Sequence, residues 1–220
     1  MVDITILAWV YGAGVLAAAP LGPVNTVAIR RGLISRPART LWVGLGSVFV
    51  EAGYVAAALW GAEELAGRIP EQAIRRWGGL PAAAVILLLG VFILGKAFVN
   101  ARRLMASVRL ERMRGLSRTP LRDFLTGAAL TVINPLTLLY WIVVIGPNWA
   151  KMAQTAAVGA GTWYGLSAAV AGLLSWFVFL TAVVRLRPQQ VGVRFFRVVN
   201  LLCGLALVAL GLVLGVKAMP

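Results

Sequence analysis

The sequence predicts an all-α integral membrane protein with six transmembrane helices in two inverted three-helix repeats. Three observations carry that expectation. Of the 220 residues only 13% are charged and 60% are hydrophobic, against about 25% and about 45–50% in a soluble domain. Such a chain, with a mean hydropathy of +0.88, cannot coat a water-soluble globule of its size, which excludes a soluble enzyme and a disordered chain. Its charges are clustered, leaving stretches with at most one charge over 4–29, 40–62, 77–95, 124–150, 152–184 and 198–216. Finally, the longest polar connection divides those stretches three and three. Residues 1–220 form a single membrane domain on this reading, with a first repeat over 1–96, a basic cytoplasmic connection over 97–123 and a second repeat over 124–220.

A hydrocarbon core about 30 Å thick needs about 20 apolar residues of helix. Spans are therefore expected near 5–29, 40–62, 77–96, 124–146, 160–184 and 198–216. The apolar runs are continuous rather than alternating, which excludes a barrel and leaves helices. The first run is not read as a cleaved signal peptide: Asp3 stands where a basic n-region belongs, and the run is too long.

Lys and Arg set the orientation. Of the 21 such residues, 16 fall in connections one, three and five, so these are expected in the cytoplasm and both termini outside. The formal charge of +14 then reads as an orientation signal facing anionic lipid, and a nucleic-acid partner becomes unnecessary. Trp9, Trp42, Trp60, Trp77, Trp149 and Trp163 lie near span ends, as an interfacial belt should. Trp141 and Trp176 sit deeper and read as packing or pathway residues.

The first span contains Pro20-Leu21-Gly22-Pro23-Val24-Asn25-Thr26, and the fourth contains Thr131-Val132-Ile133-Asn134-Pro135-Leu136-Thr137. Proline removes a backbone donor and clashes with the carbonyl four residues back, so both helices are expected to break. The freed carbonyls must face protein, water or a ligand, never lipid. Asn25 and Asn134 can donate and accept, so each could bind a zwitterion or complete the broken backbone. Corresponding broken helices in two inverted halves point to a site between them.

The second span holds Glu51, the one ionisable residue well inside a run. A charge there costs about 2.5–3.5 kcal/mol on insertion scales, which suits a group that loads and releases a proton. Gly44, Ser47, Glu51, Tyr54 and Ala58 share one helix stripe, small and polar, which should face the bundle interior. The structural alternative is a buried carboxyl held by Ser47, Tyr54 or Arg30. Gly161 with Gly165, and Gly211 with Gly215, read as close-contact faces. Asn200 is expected to face headgroups, and Cys203 to be a small core residue.

At these residues the chain resembles the LysE/RhtB-type amino-acid exporter family. Pro20 to Asn25 with Ile29-Arg30-Arg31-Gly32 is similar to the family's first-helix motif, Gly44, Gly46, Glu51 and Tyr54 to its second helix, and Gly90 with Leu94-Gly95-Lys96-Ala97 to the end of its third. Phe124, Gly127 and Asn134-Pro135 are similar to its fourth, and Gly172 with Ser175-Trp176 to its fifth. The likeness spans roughly residues 15–215. Two positions depart: Leu21 stands where many members have Pro, and Glu51 where Asp is common. The resemblance implies export of amino acids or related small solutes, driven by the proton gradient across a bacterial inner membrane.

The combined expectation is a secondary exporter with its site between the broken first and fourth spans. Asn25 and Asn134 would contact substrate, Gly22, Pro23 and Pro135 would expose backbone and hinge, and Glu51, with Tyr54 on the same stripe, would carry the proton. No cofactor is implied. There is no His, and one Cys excludes paired-Cys metal sites. No Gly-rich run ends in Gly-Lys-Ser/Thr, so nucleotide binding would need a partner. The rivals are a divalent-cation transporter, which would want several acids in the spans, and a non-transporting scaffold. A membrane enzyme fits least, since one intramembrane carboxyl has no partner for acid–base work. The oligomeric state is left open.

Overall fold

The computed structural model describes residues 4–66, 68, 79–96, 119–147, 149–150 and 159–218. Among the described residues there are eight α-helices and no strand. In chain order they are α1 (Ile4–Ala18), α2 (Pro23–Ile34), α3 (Ala38–Ala66), α4 (Leu80–Lys96), α5 (Pro120–Val132), α6 (Pro135–Tyr140), α7 (Gly159–Leu186) and α8 (Val193–Ala218). A π-helical turn, Trp141–Ile145, continues α6. The basic connection expected over 97–123 lies outside the described residues up to 118, as does Trp77.

Three helices, within α3, α7 and α8, are long and apolar enough to cross a membrane alone. Two bent pairs add to them: α1 with α2, at 72°, and α5 with α6 and its π turn, at 62°. If each pair is one span, five result. The sixth expected span, 77–96, corresponds to α4, whose 17 residues reach only about 26 Å. Elsewhere the helices outrun the apolar stretches: α7 continues to Leu186 and α8 begins at Val193. Hydropathy reports bilayer thickness, whereas backbone hydrogen bonding carries the helix on into the charged flank.

Proline stands at the first position of α2, α5 and α6, where its missing donor is not needed and its φ already suits a helix. Glycine decides which helices touch. A Cβ on Gly46 of α3 would strike the Phe124 carbonyl of α5, and one on Gly127 of α5 would strike the Val43 carbonyl of α3. The same reciprocal contact joins α1 and α7, where Gly14 abuts the Ala169 carbonyl and Gly172 the Tyr11 carbonyl. Gly90, Gly204 and Gly211 let α4 and α8 lie close together, and Gly44 of α3 receives the ring of Phe177 of α7. Gly215 meets the Ala83 Cβ at 3.6 Å, so the expected Gly211–Gly215 face packs on α4.

At one end of the bundle a buried carboxylate, Asp123 in the first turn of α5, meets two arginines. Arg39 of α3 donates to Asp123 at 2.7 Å and Arg31 of α2 lies at 3.6 Å. The trio ties together three helix ends. Two expectations about polar anchors change. Trp149 is buried against Gly165 rather than placed in a belt, and Asn200 is buried rather than facing headgroups. Both sit where neighbouring helices close over them, which position along the sequence does not reveal.

Candidate functional site

The first break begins where Pro20 can neither donate to Leu16 nor avoid its carbonyl. Ala19 N–H to the Val15 carbonyl, 2.9 Å, is the last helical bond before it. Gly22 N–H turns back to the Pro20 carbonyl at 2.7 Å, and α2 starts at Pro23. The orphaned groups are met by side chains. Asn25 Nδ2 donates to the Ala18 and Pro20 carbonyls at 2.6 and 2.8 Å. Its Oδ1 accepts from Trp176 Nε1 of α7 at 3.2 Å. Leu21 N–H donates to Asn200 Oδ1 of α8 at 2.8 Å.

Asn25 is 3% exposed and does not line the cavity described below. Of the two uses open to it, completing the broken backbone is the one its geometry displays.

The second break is capped from within. Asn134 Oδ1 accepts from Leu136 N–H at 3.3 Å, and its Nδ2 donates to Thr137 Oγ1 at 2.9 Å. Asn134 therefore serves as the N-cap of α6, with Pro135 following. The π turn then swings the buried Trp141 toward α3; such turns widen a helix and re-aim side chains.

Glu51 lies beside this second break. It is 4% exposed. Ser47 Oγ donates to its Oε1 at 3.0 Å, and Trp141 Nε1 makes a longer contact with its Oε2, 3.4 Å. Ser47 Oγ also lies 2.8 Å from Thr131 Oγ1, which bonds the Gly127 carbonyl at 3.0 Å. A chain of hydroxyls thus runs from the carboxyl into the last turns of α5. Tyr54 is half-buried on the same helix, but the hydrogen bonds to the carboxyl come from Ser47 and Trp141.

Both breaks open on one cavity of about 560 Å³. Pro20, Leu21, Gly22 and Pro23 come from the first, and Asn134, Leu136, Thr137 and Tyr140 from the second. Leu89, Phe92 and Ile93 of α4 face them, with Asn200 and Leu207 of α8. Tyr140 Oη donates to the Ala13 carbonyl at 2.9 Å, which locks α6 to α1.

Of the expected site residues, Gly22, Pro23 and Asn134 share this wall, whereas Asn25, Glu51, Tyr54 and Pro135 do not line it. Trp141 links Glu51 to the wall, since Tyr140 precedes it in the chain and their rings meet edge to face at 5.4 Å. Asn200, Tyr140 and Asp123 were not foreseen. An Asn inside an apolar run was the available clue for the first; the other two took their places only through contacts distant in sequence.

Comparison with curated proteins and with solved structures finds no match for the chain. A family model does: that of the LysE type translocator covers residues 15–218, and the chain belongs to that family.

Proposed function

We propose that the chain is a secondary-active exporter of amino acids or related small solutes, coupled to protons through Glu51. It would work in a bacterial inner membrane, with six spans in two inverted three-helix repeats and both termini outside. The observation that carries this reading is the convergence of two proline-broken helices on one cavity, the arrangement by which inverted-repeat transporters build a site. Membership of a translocator family supports it.

The packing supports the repeats. Exchanging the halves turns the α3–α5 contact into the α7–α1 contact, reciprocal glycines included, and leaves the α4–α8 and α3–α7 contacts unchanged. The excess of Lys and Arg in the odd-numbered connections supports the orientation.

In this mechanism Asn134 and the backbone at Gly22 and Pro23 meet the solute, and Asn25 holds the first break in shape. Pro135 and the π turn form the hinge. A carboxylate at Glu51 only accepts hydrogen bonds; once protonated it must donate one. Its proton would turn to Ser47 Oγ and the Ser47 proton to Thr131 Oγ1, whose own proton already goes to the Gly127 carbonyl, while the contact with Trp141 loosens. Because Trp141 follows Tyr140, the cavity wall responds to the proton.

The test is efflux from amino-acid-loaded proteoliposomes under an imposed pH gradient, acid outside. Glu51→Gln should express and fold as the parent does and lose gradient-driven efflux. Unchanged efflux in that variant would reject the proton-carrier role.

A further inference from the structure

The cavity is largely apolar with a few neutral polar groups, and that composition bears on which solutes it accepts. Its polar groups are all neutral: Thr26 after the first break, Asn134 and Thr137 at the second, and Asn200 of α8. The α4 side is apolar, made by Leu89, Phe92 and Ile93 with Leu207 of α8, and Leu16, Leu21 and Leu136 add apolar surface beside the breaks. Among the described residues no Asp, Glu, Lys or Arg lines it. Among the described residues the two buried acids are occupied elsewhere. Glu51 is held by Ser47 and Trp141, and Asp123 is paired with Arg31 and Arg39. The one phenol on the wall, Tyr140, gives its proton to the Ala13 carbonyl.

A solute whose side chain carries a full charge would lose water in this cavity without gaining a counter-charge, which strongly disfavours it. A zwitterionic amino-acid head has no net charge, and neutral amides, hydroxyls and break-exposed backbone can solvate its two ends. A side chain laid against Leu89, Phe92, Ile93 and Leu207 gains in proportion to the apolar area it covers. The volume of about 560 Å³ falls within the range of small-molecule sites, so a branched or aromatic side chain has room and a methyl would leave much of the apolar wall uncovered.

We infer that this cavity selects amino acids with large uncharged apolar side chains, of the leucine, methionine or phenylalanine kind, and turns away cationic and anionic ones. The inference rests on the exporter reading above and narrows it to a substrate class.

Counterflow tests it: purified full-length protein in liposomes, preloaded with one unlabelled amino acid, takes up labelled leucine from outside. Leucine, methionine and phenylalanine inside should drive uptake at least about tenfold better than lysine or glutamate, the scale on which pockets discriminate. Lysine or glutamate driving uptake as well as leucine would overturn the inference and leave the exporter reading standing. Counterflow with no amino acid at all would overturn both.

Two wall variants localise the selectivity. Leu89→Asp adds a carboxylate to the apolar side and should shift preference toward lysine. Phe92→Ala, at a half-exposed position, should weaken phenylalanine and leucine relative to alanine. Preferences identical to the parent's in a variant that elutes monodisperse in detergent would overturn the assignment of selectivity to this cavity.

Discussion

The two broken spans carry the same local cue, an Asn beside a Pro in an apolar run, yet they hold themselves together differently. At the first, distant helices join in: Asn25 bridges the Ala18 and Pro20 carbonyls, Trp176 of α7 donates to Asn25, and Asn200 of α8 takes the Leu21 N–H. At the second, Asn134 caps the helix it precedes and bonds a residue three places on, which leaves it half-buried on the cavity wall. One break is a joint fixed to two distant helices, α7 and α8. The other is self-contained, followed by a π turn, and linked to the buried acid through Trp141. A break stitched to distant helices resists motion, because moving it strands several buried polar groups at once; a locally capped break moves with its own cap.

Four substitutions can break or sharpen this contrast. The largest effect belongs to the acid beside the self-contained break: Glu51→Gln abolishes gradient-driven efflux, read against empty vesicles, with yield and melting unchanged. Next comes the ion trio that ties the start of α5, ahead of the second break, to the end of α2, beyond the first. Asp123→Asn leaves Arg31 and Arg39 facing a neutral amide at a buried site and should destabilise the fold by about 3 kcal/mol, seen as a lower melting temperature in detergent. Asn25→Ala deprives the Ala18 carbonyl and Trp176 Nε1 of their partner and leaves the Pro20 carbonyl with the Gly22 N–H alone. It should destabilise by about 2–3 kcal/mol and lower transport in proportion to folded protein. Asn134→Ala removes only a local cap, worth about 1 kcal/mol, but takes a polar group from the cavity, so solute affinity should fall while melting scarcely moves. If Asn25→Ala and Asn134→Ala proved equally destabilising, the distinction between an anchored and a self-capped break would fail.

Much of this architecture is legible in the residues. The apolar runs mark α3, α7 and α8 because a bilayer demands a fixed length of uncharged helix. Pro20, Pro23 and Pro135 mark the breaks because a proline inside an apolar run cannot bond back to the turn before it. Gly44 on α3 is legible as a close-approach residue but not its partner, Phe177 of α7, because a contact is a property of two helices. Trp149 defeats the reading of its position: it lies near a span end, but Gly165 opens a slot that buries it.

By itself the sequence determined that this chain crosses a membrane, where its helices break and which carboxyl lies deep, since each follows from local chemistry set against a bilayer's thickness and dryness. Only the tertiary structure decided that Asn25 repairs a backbone while Asn134 faces a cavity, that Trp141 rather than Tyr54 meets Glu51, and that Asn200 and Asp123 become buried anchors. A hydrogen bond depends on which atoms from distant segments come within about 3 Å of one another, and that depends on how the helices pack.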